Sequence, residues 1–183
     1  MSSYPLQEQF EGILRLGRTG VTLQERVAVF FEETRDDVYR YLLLLGLFPP
    51  QAQEATQEVF LRLYTSLRKG EDIQNWRAWV FRVAHNHGLR VRAQESHQLP
   101  FDADLEARLR DPQESHERSL IERERFVRLG KAIESLSEQQ RRCLFLRMEG
   151  LRYPEIAKVL GITASSVGEF LRRAIARLRK AHQ

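Results

Sequence analysis

The chain has 183 residues and a mass of 21.5 kDa, with 42% hydrophobic and 30% charged residues and a mean hydropathy of −0.47. That composition suits one compact domain or two small ones and excludes a disordered tail protein. Lys and Arg number 29 against 25 Asp and Glu, for +4 overall, and Cys143 is the single cysteine, which excludes an internal disulfide and a cysteine-based zinc site.

Residues 1–21 form an N-terminal extension that lacks the basic start and apolar centre of a secretory signal, so a reducing cytoplasm is the expected location. Gln7, Phe10, Ile13, Leu14 and Gly17 suggest a short packing helix there. Residues 22–94 then carry three helical patterns. Thr22-Leu-Gln-Glu25 is a capping box, after which Val27, Phe30, Val38, Tyr41, Leu42 and Leu45 recur on one face up to Gly46. The apolar run through Phe48 stops at Pro49-Pro50, far short of the ~18 consecutive apolar residues of a membrane span, and no membrane role is expected. Pro50 opens a second helix lined by Ala52, Ala55, Val59, Phe60, Leu63 and Leu67 and closed by Gly70. Asn75 caps a third, with Trp79, Val80, Val83 and Ala84 inward and Trp76 divided between core and surface.

Residues 95–117 lose the pattern. Leu99-Pro100 and Asp111-Pro112 interrupt any helix, and from Glu95 to Arg125 nine acids face five arginines, so this segment reads as a flexible linker that could hold two domains apart on one partner. Residues 118–183 form a second helical block, beginning with a helix carrying Leu120, Val127, Ile133 and Leu136. Ser137-Glu-Gln-Gln140 is another capping box. From Leu151 to the end seven bases face only Glu155 and Glu169, a distribution that suits either a solvated helix face or contact with a polyanion. The expected fold is all-α, two small helical domains joined by a flexible linker.

Tyr153 to Arg172 carries the sharpest local signal. Pro154 suits a first helical turn, Ile156 and Leu160 point inward, and small Ala157 lets a second helix approach. Gly161 makes the turn, Ile162 fills the corner, Thr163 caps the next helix, and Val167, Leu171, Ala174 and Leu178 form its buried stripe. This is a helix-turn-helix, whose second helix can enter a DNA major groove.

Three further stretches extend the pattern: Ala132-Ile-Glu-Ser-Leu-Ser-Glu-Gln-Gln-Arg-Arg-Cys-Leu-Phe-Leu-Arg147, Glu149-Gly-Leu-Arg-Tyr-Pro-Glu-Ile-Ala157 and Leu160-Gly-Ile-Thr163. They resemble the C-terminal DNA-binding domain of bacterial sigma factors of the extracytoplasmic-function type. Gln57-Glu-Val-Phe-Leu-Arg-Leu-Tyr64 is similar to that family's polymerase-binding helix, and Asn75-Trp-Arg-Ala-Trp-Val-Phe-Arg-Val-Ala-His-Asn86 to its promoter-melting helix. The resemblance runs from about Leu23 to Lys180.

It implies a transcription initiation factor that binds core RNA polymerase and directs it to promoter DNA at −10 and −35 elements, with no catalysis, cofactor or metal of its own. An anti-sigma factor is a further partner it leaves open. Gln53, Glu54, Gln57, Glu58, Leu61 and Tyr64 would dock on polymerase, with the Glu54/Glu58 pair on one face and Leu61 as apolar anchor. Trp76, Arg77, Arg82, His85, Asn86, Arg90 and Arg92 would open and hold the −10 strands by stacking and charge, with the 69–75 loop as a base pocket. Ser165, Ser166, Glu169, Arg172, Arg173 and Arg177 would meet the −35 element.

The chain departs from the family at Arg90 and Val91, where an acidic residue and an aromatic are usual, and at Gly168-Glu169-Phe170, where basic and polar residues are common. Glu169 could accept from a cytosine amino group or pair with Arg173 four residues on. The rival readings are a helix-turn-helix regulator acting without polymerase, and a sigma-mimicking interaction module that binds a regulator but not DNA. An enzyme ranks behind both, since no nucleophile–base pair, phosphate-binding glycine loop or metal cluster stands out.

Overall fold

The computed structural model describes residues 22–95 and 130–182, all helix and short turns. The expectations for the N-terminal extension and most of the linker, and for Leu120 and Val127, lie outside the described residues.

Among the described residues the two blocks contain α1 Leu23–Leu44, α2 Pro49–Arg68 and α3 Trp76–Glu95, then α4 Glu138–Met148, α5 Tyr153–Leu160 and α6 Ala164–His182. A helical turn over 130–134 leads into α4. The starts follow the local chemistry. Glu25 N donates to Thr22 Oγ1 at 3.2 Å while Thr22 N donates to Glu25 Oε2 at 2.7 Å, closing the capping box reciprocally. Ser137 and Gln140 repeat the device at α4, and Ala78 N donates to Asn75 Oδ1 at 2.9 Å at the head of α3. Each such cap contributes on the order of 1 kcal/mol. Gly161 adopts φ 66°, the left-handed geometry that lets α5 turn sharply into α6.

In the first block α1, α2 and α3 enclose Val38, Tyr41, Leu42, Val59, Leu63, Val80, Phe81 and Ala84. Gly88 allows α3 to lie close to the end of α1: a Cβ there would come within 2.9 Å of Leu45 Cδ1 and 3.0 Å of Leu42 Cδ2. In the second block Cys143, Leu146, Ile156, Val159, Val167, Leu171 and Ala174 are buried. Ile133 differs from expectation. It is 38% exposed, while Ala132 and Leu136 face the core, so the inward face of that turn lies one residue from where the spacing put it.

The two blocks also pack on each other. α3 lies against α5, and Phe145 of α4 reaches into the first block, with ring centroids 5.5 Å from Tyr41 and 6.3 Å from Phe81. The linker was expected to allow wide separation; in this structure the cores are continuous.

Candidate nucleic-acid interface

The recognition helix α6 is built as its sequence implies. Thr163 Oγ1 accepts from Ser166 N at 3.1 Å, and Val167, Leu171 and Ala174 turn inward, leaving Ser165, Arg172, Arg173 and Arg177 exposed and Ser166 and Glu169 half-exposed. Glu169 takes both neighbouring arginines. Its Oε1 accepts from Arg173 Nε at 2.6 Å and from an Arg172 terminal nitrogen at 2.9 Å, while its Oε2 accepts from Arg172 Nε at 2.9 Å. Hydrogen bonds from Arg172, then Arg173, hold the Glu169 carboxyl down to about 2. Helical spacing brings both arginines within reach, Arg172 at i+3 and Arg173 at i+4, where only the pairing with Arg173 was expected. Arg177 donates to the Ser135 carbonyl.

On α2, Gln53, Glu54, Gln57 and Leu61 are exposed, with Glu58 and Tyr64 half-buried beside them. Leu61 is 59% exposed, an apolar side chain left open to solvent, and Glu58 Oε1 accepts from Arg62 Nε at 2.6 Å. The six residues therefore lie together along the outer side of the helix that supplies Val59, Phe60 and Leu63 to the core.

On α3 the expected residues divide. Arg82, Asn86 and Arg90, at steps of four, form one exposed stripe. Trp76 is half-buried, edge-on to Phe30 at 5.6 Å, with the Arg26 guanidinium 5.2 Å above its ring. It also walls a shallow hollow with Asp72, Ile73 and Gln74, where the 69–75 loop was expected to form a pocket.

The other three residues are engaged by neighbouring parts of the chain, His85 buried, Arg77 largely covered and Arg92 partly exposed. His85 is 5% exposed, and its Nδ1 shares a 2.9 Å hydrogen bond with the Tyr41 hydroxyl. Burial, then the Arg142 guanidinium, lowers the imidazole to about 4, so it stays neutral, and burial holds the Tyr41 phenol protonated. A neutral buried ring is a packing group, not a strand contact. Arg92 donates to the Leu45 carbonyl at 3.2 Å and lies 3.6 Å from Glu138 of α4. Arg77 donates to Asp37 Oδ2 at 2.7 Å, to the Glu149 carbonyl at 2.8 Å and to the Glu149 carboxylate. Burial, then the adjacent Asp37 charge, raises the Glu149 carboxyl above the usual range against the pull of Arg77.

Sequence reasoning missed Asp37, Glu149 and Phe145, which surround α3 from distant parts of the chain. It also missed Phe81, fully buried between Tyr41 and Phe145.

Known proteins agree with this arrangement. The family profile for Sigma-70 region 2 matches residues 30–97, and that for Sigma-70, region 4 matches residues 126–178, together about two thirds of the chain. The chain is 28% identical to the ECF RNA polymerase sigma factor SigK of Mycolicibacterium vanbaalenii, over 85% of this chain and 81% of that one. It is 29% identical to the RNA polymerase sigma-H factor of Pseudomonas aeruginosa, over 73% and 74% respectively. The fold is similar to that of the sigma factor RpoE solved with the anti-sigma factor NepR from Bartonella quintana, with a TM-score of 0.59 at 19% identity, covering 84% of this chain and 94% of that one. With region 2 in α1 to α3 and region 4 in the helix-turn-helix, this chain belongs to the sigma-70 family, among the two-domain factors of the extracytoplasmic-function type that bind core RNA polymerase to initiate transcription.

Proposed function

We propose that the chain selects a restricted promoter set through three surfaces. The outer side of α2, from Gln53 to Tyr64, docks on core polymerase. The Arg82, Asn86 and Arg90 stripe of α3, with Trp76 and the adjoining loop, engages the opened −10 strands. The exposed side of α6, with Ser165, Arg172, Arg173 and Arg177, reads the −35 element. Boundaries at 22–94 and 118–183 enclose these two working domains.

The observation that carries this reading is Leu61. Leu61 is 59% exposed beside Glu54 and Glu58 on the helix that falls within the region 2 match over residues 30–97, and that coincidence supports a polymerase-docking face with Leu61 as its apolar anchor. The factor acts in stoichiometric association with polymerase, turns over no substrate, and works in the cytoplasm where promoter DNA lies. Among the described residues no helix is long and apolar enough to cross a membrane. An anti-sigma protein of the kind solved with the RpoE relative is a fitting regulator for the same surfaces.

A second reading has one observation in its favour. Glu169 occupies both Arg172 and Arg173, which leaves the recognition helix short of free cations, as in a module that meets proteins instead of DNA. DNase footprinting separates the two. The initiation reading requires protection of −10 and −35 segments only when core polymerase is added; protection by the chain alone supports an independent regulator, and none in either case supports the protein-binding module.

A further inference from the structure

Glu169 gathers two arginines on the exposed side of α6. Its carboxylate takes Arg172 by Nε and Nη2, both at 2.9 Å, and Oε1 also accepts from Arg173 Nε at 2.6 Å. The cluster stays open to solvent, with the Arg172 side chain 69% and the Arg173 side chain 60% exposed. Hydrogen bonds from Arg172, then Arg173, keep the carboxyl ionised at neutral pH. One carboxylate among two guanidiniums leaves a single net positive charge where this stretch of helix carries two cations.

A guanidinium carries its N–H donors in a planar fork with more than one usable edge. Glu169 occupies the inner edge of Arg172, Nε with Nη2, and only Nε of Arg173. The outer edges, Nη1 with the far hydrogen of Nη2, take no part in the pairing. Such an edge is what meets guanine O6 and N7 in a major groove. Bases and phosphates are not equivalent partners for a cation held in this way. A guanine edge is neutral and approaches without opposition, whereas a phosphate brings its negative charge up to the Glu169 carboxylate and is repelled. Exposed ion pairs are weak, so the bias amounts to a several-fold preference and not to a block.

We propose that Glu169 is a specificity-determining residue of α6: it stands in for a DNA phosphate, keeps Arg172 and Arg173 from gripping backbone indiscriminately, and reserves their outer edges for bases. The inference rests on the reading of α6 as the −35 helix, and it gives the departure at Gly168-Glu169-Phe170 a role in DNA recognition. Glu169 lowers affinity for every duplex, and lowers it most for sequences on which only phosphate contacts form. A factor that must find few promoters among much unrelated DNA gains from the ratio of the two affinities, not from affinity alone.

Glu169→Gln and Glu169→Asp test it in the full chain. Gln removes the charge and keeps an oxygen acceptor of the same reach, while Asp keeps the charge. Anisotropy of the chain alone on a random-sequence duplex, read at several salt concentrations, measures the phosphate-driven mode. The chain with core polymerase on a promoter fragment, challenged with unrelated duplex, measures selectivity. Glu169→Gln is expected to bind the random duplex several-fold more tightly, with a salt slope steeper by about one. It is also expected to lose half of its promoter complexes at several-fold less competitor. Glu169→Asp is expected to keep close to the wild-type slope, because charge sets it. Unchanged random-duplex affinity and slope in Glu169→Gln overturns the proposal, and so does equal tightening on promoter and random DNA. Relaxed preference at one base pair with an unchanged slope overturns it in favour of a direct cytosine contact. Arg172→Ala with Arg173→Ala separates the two levels. If that variant changes neither measurement, the −35 reading of α6 fails and the filter with it; if it weakens binding while Glu169→Gln strengthens nothing, the filter alone fails.

Discussion

Acidification destabilises this fold through His85, and the size of the effect follows from the site. The imidazole is buried against Tyr41, and burial with the nearby Arg142 charge takes it from 6.5 to about 4. In the unfolded chain it titrates near its ordinary value of about 6.5. Between those values the unfolded state holds the extra proton, so the stabilising contribution is full above about pH 6.5 and is lost as pH falls toward 4. A shift of that size corresponds to about 3 kcal/mol, and partial solvent screening lowers the expected loss to about 2 kcal/mol. His87, also lowered by burial, acts with the same sign, and Glu149, raised by burial, acts with the opposite one. Comparing wild type with His85→Leu at each pH cancels both. The variant leaves the Tyr41 hydroxyl without its partner and costs about 1–3 kcal/mol at neutral pH. Urea unfolding from pH 7.5 to 4 is therefore expected to show two curves that converge by about 2 kcal/mol on the acid side. Curves that stay parallel would refute a buried neutral His85.

Substitutions on the other surfaces have equally definite outcomes. Glu58→Lys combined with Leu61→Ala weakens retention of core polymerase in a pull-down by about tenfold or more, with an unchanged circular dichroism spectrum, because an exposed helix side gives up both its charge and its apolar anchor. Arg172→Ala with Arg173→Ala lowers binding of the full chain with core polymerase to a promoter fragment, and reduces the salt slope measured by anisotropy by about one for each phosphate that is no longer neutralised. Glu169→Ala frees both arginines and tightens that binding; relaxed preference at one base pair, worth ~1–3 kcal/mol, would instead reveal a cytosine contact. Gly161→Ala forces a β-carbon into a left-handed turn at φ 66° and lowers stability by about 1–2 kcal/mol in thermal melts.

The helices were legible because their determinants are local. Thr22 with Glu25, Ser137 with Gln140, Asn75, Gly161, and the Val167, Leu171, Ala174 stripe each act within a turn or two of chain, so spacing alone places them. The outer sides of α2 and α6 were legible for the same reason, being what the buried stripes leave over. Helix α3 was not. Its apolar residues from Trp76 to Ala84 spread over a wide arc, since it packs on α1, α2 and α5 together, and such an arc signals burial on more than one side. Which of its cations are covered depends on Asp37, 40 residues earlier, and Glu149, 72 residues later, pairings that helical spacing does not encode. His85 reads in sequence as a contact to the −10 strands, and its burial, with a hydrogen bond to the Tyr41 hydroxyl 44 residues away, makes it a core residue in the structure.

Run-off transcription with purified core polymerase and fragmented genomic DNA tests the central claim most directly. Discrete transcripts from a small set of start sites, appearing only when this chain and core polymerase are both present and abolished by Glu58→Lys with Leu61→Ala, are the predicted result. Transcripts that do not depend on the chain, or a chain that binds polymerase without specifying any start site, would contradict it.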